Sequence, residues 1–312
     1  MSISSQQKQY TTCPVCASPI KPWRVKSVGN DKYNLDLCGS CGYCFVNPRP
    51  TWQFLMNYYS SCGHHFEAIK DAPNFKSVLA HEQNNPNSTV DAKRLIKTIK
   101  SLVINNGDSN RFLDVGCGYG FFSSEALDAG FDVVALELAE NERDIAKEMT
   151  GLSPLASSFE EFEYAPESLE VVLMSQILEH AFDVNLWVKK SHGFLVNGGI
   201  LAIALPNYGS IFRIIMQENE PYICPPAHLN FFNSVSLSRL LENHGFKVEA
   251  IQWISRIPKT TFEKRIPRFG KPLLPVINAA SSASLKIIDV FRLGMMINVY
   301  GRKAKEMDPN SS

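Results

Sequence analysis

The stretch Leu113-Asp114-Val115-Gly116-Cys117-Gly118-Tyr119-Gly120 constrains the fold more than any other part of the chain. The run from Arg111 to Val115, which reads as a buried strand, ends in three glycines spaced by single residues. A helical pattern begins directly after them, at Phe121, Phe122, Ala126 and Leu127. Glycine takes positive φ at no steric cost and lets a ligand come close to the main chain. A buried strand, a tight glycine turn and a helix, in that order, open a βαβ unit. Such a unit commits the flanking sequence to a mainly parallel sheet covered on both faces.

The remainder of the chain agrees. Ser88 or Thr89 is placed to cap a helix running to about Val103, with Leu95, Ile96, Ile99, Leu102 and Val103 at helical spacing. FDVVALEL reads as the second strand, Leu152–Ala156 as a short third, LEVVLMSQ as the fourth and GILAIALP as the fifth. Helices are expected near 140–149, from Asp183 to Val196 and from Ser236 to His244. FKVEAIQWIS and MMINVYGRK supply the last two strands. The expected fold is α/β, a doubly wound, mostly parallel seven-stranded sheet. Three regions follow: residues 1–50, rich in cysteine; 51–88, a linker or helical connection; and 89–312, the sheet domain, with a helical insertion at about 256–292.

With 312 residues, one large domain and a small one are expected. The formal net charge is zero, which argues against nucleic acid or an anionic membrane as a partner held by long-range electrostatics. The N-terminus lacks the basic and apolar regions of a signal peptide, and no apolar run reaches about 18 residues. A cytoplasmic protein is expected.

Six of the eight cysteines lie between Cys13 and Cys62. Without an export signal, such a cluster points to a metal rather than to disulfides. Cys13 and Cys16 form one CxxC pair, Cys38 and Cys41 a second, with 21 residues between them. Each pair sets two thiolates on one side of a tight knuckle, and two knuckles complete a tetrahedral zinc site. Four cysteines leave no open position, so the zinc is expected to be structural. Cys44 and Cys62 are surplus candidates.

The glycine spacing is GxGxG, not the GxGxxG of dinucleotide folds, and Asp114 stands just before it. A carboxylate there repels a phosphate and suits a cationic ligand such as S-adenosylmethionine. Glu137 ends the second strand 21 residues after Gly116, where a carboxylate accepts both hydroxyls of a ribose. LDVGCGYG, LEL, SQILEH and GGILAIALPN together resemble the ordered motifs of class I S-adenosylmethionine-dependent methyltransferases, with a Rossmann-like fold. CPVC…LCGSCGYCFVNPRP, followed by Tyr58-Tyr59, resembles a subset with an N-terminal zinc ribbon, tied to polysaccharide or secondary-metabolite biosynthesis. HLNFFNSVSLSRLLENHGFKV fits the same subset. The resemblance implies that Asp114, Gly116 and Gly118, with Cys117 between them, hold the methionine part of the cofactor. It also implies that Glu137 holds the ribose, that Leu138, Ser158 and Phe159 meet the adenine, and that Gln176 and Ile177 flank the methionine end.

Methyl transfer needs a positioned nucleophile and, where required, a base to take its proton. Glu179-His180 follows the fourth strand, and His228 lies in the loop PPAHLN, so Glu179, His180 and His228 are the expected catalytic residues. Asn207 and Tyr208, just after the fifth strand, are further candidates. Some quinone-pathway O-methyltransferases carry ExxEH at this place, with a metal; Gln176 replaces the first Glu here. Arg256, Lys259, Lys264, Arg265, Arg268 and Lys271 form a basic stretch suited either to substrate phosphates or to solvent. The run from Leu273 to Met296 reads as a helix packed on a neighbour or on a homodimer partner rather than a membrane anchor. The expected substrate is a small molecule methylated on O or N, such as a sugar, a nucleotide-linked compound or a secondary-metabolite intermediate. The alternatives are a ribosomal or transfer RNA methyltransferase, a non-catalytic cofactor-binding scaffold and an NAD enzyme. Metal analysis is expected to find about one zinc ion per chain, and a metal-free folded protein would remove the ribbon from this reading.

Overall fold

The structure is a computed structural model and describes residues 7–61, 73–104, 110–256 and 283–304. Strands β1 (Ile20–Val28) and β2 (Asp31–Cys38) form an antiparallel hairpin, and the short β3 (Cys44–Val46) adds to β2. Helices α1 (Trp52–Ser61) and α2 (Phe75–Asn84) follow. A capping box opens α2: Asn74 accepts the Ser77 N–H, and the Ser77 hydroxyl accepts the Asn74 N–H. Helix α3 (Asn87–Leu102) begins earlier than expected, and neither Ser88 nor Thr89 caps it. The carboxylate of Glu82, on the preceding helix, accepts the Thr89 N–H at 2.7 Å instead. It satisfies one of the donors that a helix start leaves without an intrahelical partner.

From β4 (Arg111–Val115) the chain alternates through α4 (Phe121–Asp128), β5 (Asp132–Leu136), α5 (Glu140–Thr150), β6 (Leu169–Ser175) and α6 (Val184–Phe194). It continues through β7 (Leu195–Pro206), α7 (Ile211–Met216), β8 (Asn230–Phe231), α8 (Ser234–Asn243), β9 (Phe246–Ile254) and β10 (Met296–Lys303). The main sheet has the order β5-β4-β6-β7-β10-β9. Strands β5, β4, β6 and β7 are parallel, whereas β10 runs antiparallel to both its neighbours. Among the described residues the result is a mixed sheet of six strands rather than seven. The expected strand at Leu152–Ala156 is reduced to one bridge, Leu155 to Leu136. The Leu155 N–H donates to the Ala135 carbonyl at 2.9 Å, and the Glu137 N–H donates to the Leu155 carbonyl at 3.1 Å. Pro154 next to it has no N–H with which to extend the ladder.

Alternate residues of the central strands face opposite cores. Leu113, Val115, Val172, Met174, Leu201 and Ile203 pack on one side with α6 and α8. Phe112, Val171, Leu173, Ile200 and Ala202 pack on the other with α3. This double burial explains why the strands read as continuous apolar runs. The cysteine-rich segment joins the first core, because Cys13, Cys38, Cys41, Tyr43 and Phe45 belong to the same buried cluster. Strand β8 pairs with β3, so the N-terminal sheet, of order β1-β2-β3-β8, is completed by a strand from far along the chain.

Of the basic stretch, Arg256 forms an ion pair with Asp91 at 2.6 Å. Lys259, Lys264, Arg265, Arg268 and Lys271 lie outside the described residues, as does most of the expected insertion; residues 283–290 are helical. Among the described residues no helix is long and apolar enough to cross a membrane.

Gly120 caps α4 with φ +84°, and a Cβ built there lies 3.1 Å from Thr150 Cγ2 and 3.2 Å from Ala146 Cα on α5. Left-handed backbone costs a non-glycine residue about 1–2 kcal/mol, and the crowding adds to that. Gly120→Ala is expected to lower the unfolding free energy by about 2 kcal/mol or more, read as a lower urea midpoint. An unchanged midpoint would contradict the tight seating of α4 on α5.

Candidate active site

The glycine turn leaves β4 with Gly116 at φ +67° and Gly118 at φ +53°. Glu137, at the end of β5, fastens it: one carboxylate oxygen accepts the Gly118 N–H at 3.0 Å and the other the Ala139 N–H at 2.9 Å. Asp114 lies beneath the turn, 1% exposed, and accepts the Ser123 hydroxyl at 2.6 Å. Burial pushes its carboxyl up to about 6; the Ser123 hydroxyl opposes the shift and the charge of Glu137 adds to it.

An open cavity of about 640 Å³ lies above the carboxyl ends of β4 and β5. Gly116, Glu137, Leu138, Ser158, Phe159 and Ile177 line it. Phe159 also belongs to the core, edge-on to Trp187 at 5.2 Å, so it serves both surfaces. Asp114, Cys117, Gly118 and Gln176 are not on the wall. The Cys117 side chain packs with Ala135 and Ala146. Gln176 is exposed and left-handed, at φ +57°, where the chain leaves β6.

Four wall residues come from a segment expected only to connect. Trp52, Leu55, Met56 and Tyr59 lie at i, i+3, i+4 and i+7 of α1 and present one helical face to the cavity. That spacing is visible in the sequence; which surface the face covers is not.

Glu179 and His180 sit on a single 3₁₀ turn, Leu178–His180, after β6, and His228 comes from the loop before β8. One candidate donor atom of each lies within 4.8 Å of those of the other two. His180 Nδ1 is 2.6 Å from the Ala227 carbonyl and His228 Nδ1 is 2.7 Å from the Tyr222 carbonyl. A carbonyl only accepts, so both Nδ1 atoms carry hydrogen and the basic position of each neutral ring is Nε2. The two rings meet edge to face at 4.8 Å, and Tyr59 stands edge to face on His180 at 5.5 Å. The Tyr59 hydroxyl donates to the Ala227 carbonyl at 2.9 Å.

Glu179 is 1% exposed, and neither carboxylate oxygen has a hydrogen-bond partner among the described residues. Burial pushes its carboxyl up to about 8. His180 lines the large cavity, whereas Glu179 and His228 line a second hollow of about 260 Å³ with Asn207, Tyr208, Arg213 and Tyr222. The trio therefore stands between two spaces. Asn207 is engaged in shaping its own turn, donating to the Gly294 carbonyl and accepting the Gly209 N–H.

Cys13, Cys16, Cys38 and Cys41 converge at the N-terminal end, their sulfurs all within 4.8 Å of one another. The Cys13–Cys41 and Cys16–Cys38 sulfurs are 3.7 and 3.4 Å apart. Cys44 is fully buried in a separate apolar cluster with Leu35 and Phe231. Cys62 lies outside the described residues.

Comparison with known proteins agrees with this geometry. The family described as a methyltransferase domain matches residues 87–251, just over half of the 312-residue chain. A ubiquinone biosynthesis O-methyltransferase of Mesorhizobium japonicum is 25% identical over 211 residues, covering 64% of this chain and 70% of that one. The Brucella ovis protein of the same name is 29% identical over 211 residues, with the same coverage, 64% and 70%. A solved S-adenosylmethionine-dependent methyltransferase from Archaeoglobus fulgidus shares the fold, with a TM-score of 0.52 at 19% identity over 72% of this chain and 99% of that one. The chain belongs to the methyltransferase-domain family and is a class I S-adenosylmethionine-dependent methyltransferase.

Proposed function

We propose that the protein methylates an oxygen or nitrogen of a small molecule, such as a sugar, a nucleotide-linked compound or a secondary-metabolite intermediate. The observation that carries this reading is the placement of Glu179, His180 and His228 between the large cavity and the hollow beside it. S-adenosylmethionine bound in the large cavity supplies an electrophilic methyl group. Glu137 holds the ribose, Leu138, Ser158 and Phe159 meet the adenine, and Gly116 and Ile177 flank the methionine end. Asp114, with Cys117 and Gly118, acts from behind the wall by shaping the turn, and Gln176 follows β6 beside Ile177. The acceptor enters the hollow. His180 Nε2 takes the proton of the attacking group, while Nδ1–H, held by the Ala227 carbonyl, keeps the ring in place. His228 is the alternative base for the same proton, and Glu179 accepts a hydrogen bond from a hydroxyl or amine of the acceptor. A net charge of zero favours a small molecule over RNA.

The N-terminal segment is read as a structural zinc ribbon. Zinc–sulfur bonds of about 2.3 Å in a tetrahedron set sulfurs about 3.8 Å apart, close to the 3.4 and 3.7 Å found here. Cys13, Cys16, Cys38 and Cys41 would hold the ion, which carries no step of the reaction.

Calorimetric titration of the zinc-loaded protein is expected to show binding of S-adenosylhomocysteine and none of NADH. Glu137→Gln is expected to weaken that binding about tenfold or more, since a hydrogen bond to a charged group is worth about 1.5–3 kcal/mol. In assays that follow S-adenosylhomocysteine release with a cell extract as acceptor source, His180→Ala is expected to slow turnover about 100-fold or more while cofactor affinity stays within a few-fold. Equal turnover by the variant would remove His180 from the chemistry.

Glu179 also sets a pH dependence. Its folded-state value, about 8, is raised above the ordinary 4.5. The stability tied to its neutral form is fully present below pH 4.5 and is lost as pH rises through about 8. Glu179→Gln removes this loss. It is expected to raise the urea midpoint relative to wild type at pH 8.5 and to leave the two proteins alike near pH 4.5. Parallel pH profiles would show that the carboxyl is not buried as described.

A further inference from the structure

The cysteine module is bonded to the large domain by side-chain amides. Asn185 donates to the Pro14 carbonyl at 2.9 Å and Asn243 to the Val15 carbonyl at 2.6 Å, both within the first CxxC knuckle. Asn233 reaches the carbonyls of Cys41 and Gly42 at 3.3 and 3.2 Å, at the second. These bonds dock the module. A further set links it to the reacting groups.

Arg49 follows β3 and is fully buried. One guanidinium nitrogen donates to the Leu229 carbonyl at 2.9 Å, another to Asn230 Oδ1 at 2.5 Å. The Tyr43 hydroxyl, two residues beyond Cys41, donates to the same Oδ1. Asn230 Nδ2 in turn donates to the carbonyls of Leu178, Glu179 and Ala181 at 3.2, 3.2 and 2.8 Å. The Leu229 N–H donates to the Glu179 carbonyl at 2.8 Å. One buried amide thus accepts from the cysteine module on its oxygen side and, on its nitrogen side, clamps the turn that carries Glu179 and His180. Only a side chain that both accepts and donates, at this length, makes both sets of bonds.

We propose that Asn230 is a positioning residue and that the cysteine module is a working part of the site: Tyr43 and Arg49 orient Asn230, and Asn230 sets the Leu178–Ala181 turn. Tyr43 and Arg49 thus hold one and the same amide from the side of the cysteine module. The inference deepens the reading of His180 as the base and rests on that reading for its consequence in turnover, but not for its structural content.

The test uses the full zinc-loaded chain. Asn230→Asp keeps an acceptor for Arg49 and Tyr43 and removes the donors to the turn. It is expected to retain wild-type zinc content and far-UV circular dichroism. It is also expected to weaken S-adenosylhomocysteine binding about tenfold or more, by about 1.4 kcal/mol per tenfold, because Ile177, which leads into the clamped turn, lines that cavity. In nitrogen-15 histidine spectra the hydrogen-bonded His180 Nδ1–H signal is expected to be lost or shifted. Arg49→Met is expected to do the same, and Arg49→Lys, which keeps the charge but not the two-carbonyl fork, to fall between Arg49→Met and wild type. Should Asn230→Asp fail to fold, the Arg49 pair carries the test. Wild-type affinity and an unmoved His180 signal in Asn230→Asp and Arg49→Met overturn the proposal. If the wild type itself binds no S-adenosylhomocysteine, the assignment of the cavity fails, and the His180 signal alone decides the positioning role.

Discussion

Strand β4 has β5 on one side and β6 on the other, so the connections on its two sides part above its carboxyl end and leave a crevice. Everything in the site is built around that opening. The glycine turn keeps its floor low: a Cβ on Gly116 would come within 2.7 Å of Ile177 Cδ1, which is itself part of the wall. Glu137, from the neighbouring strand, ties the turn down by main-chain N–H groups while presenting its carboxylate to the cavity. The aromatic face of α1 then covers a space that the sheet alone would leave open.

Two buried acids show how differently one fold treats the same chemistry. Asp114 is out of water but has a hydroxyl partner in Ser123, and its carboxyl rises only to about 6. Glu179 is equally buried, no group among the described residues answers its oxygens, and it rises to about 8. An unsatisfied buried polar group costs about 1–3 kcal/mol, and such groups concentrate where a ligand completes them. Asp114 belongs to the architecture of the turn, whereas Glu179 faces the hollow with the His228 imidazole.

The N-terminal sheet shares this economy of contacts. Its fourth strand, β8, comes from the large domain, and its cysteines pack into the same core as the central strands. Asn230 stands at that junction, in β8, directly beneath the turn bearing His180. A segment that composition marks as a separate small unit is therefore continuous, by hydrogen bonds and by packing, with the carboxyl end of the sheet.

Residues close in sequence determined the elements. The apolar runs, the glycine turn after Val115, the acid at Glu137 and the two CxxC pairs are all written within stretches of about ten residues, because periodicity, turn geometry and ligand spacing are local properties. Six of the expected strands form from such signals, and residues from each expected adenine, ribose and methionine position reach the cavity. The missing strand at Leu152–Ala156 was also a local matter, since Pro154 denies it a donor. What only the tertiary structure decided involves partners far apart in sequence. The cap of α3 comes from Glu82 on another helix, α1 covers the cavity, β8 closes the sheet of β3, and Arg49 meets Asn230. None of these has a local signature. Each depends on where two separately formed surfaces come to rest, and burial and hydrogen bonding settle that over the whole molecule at once.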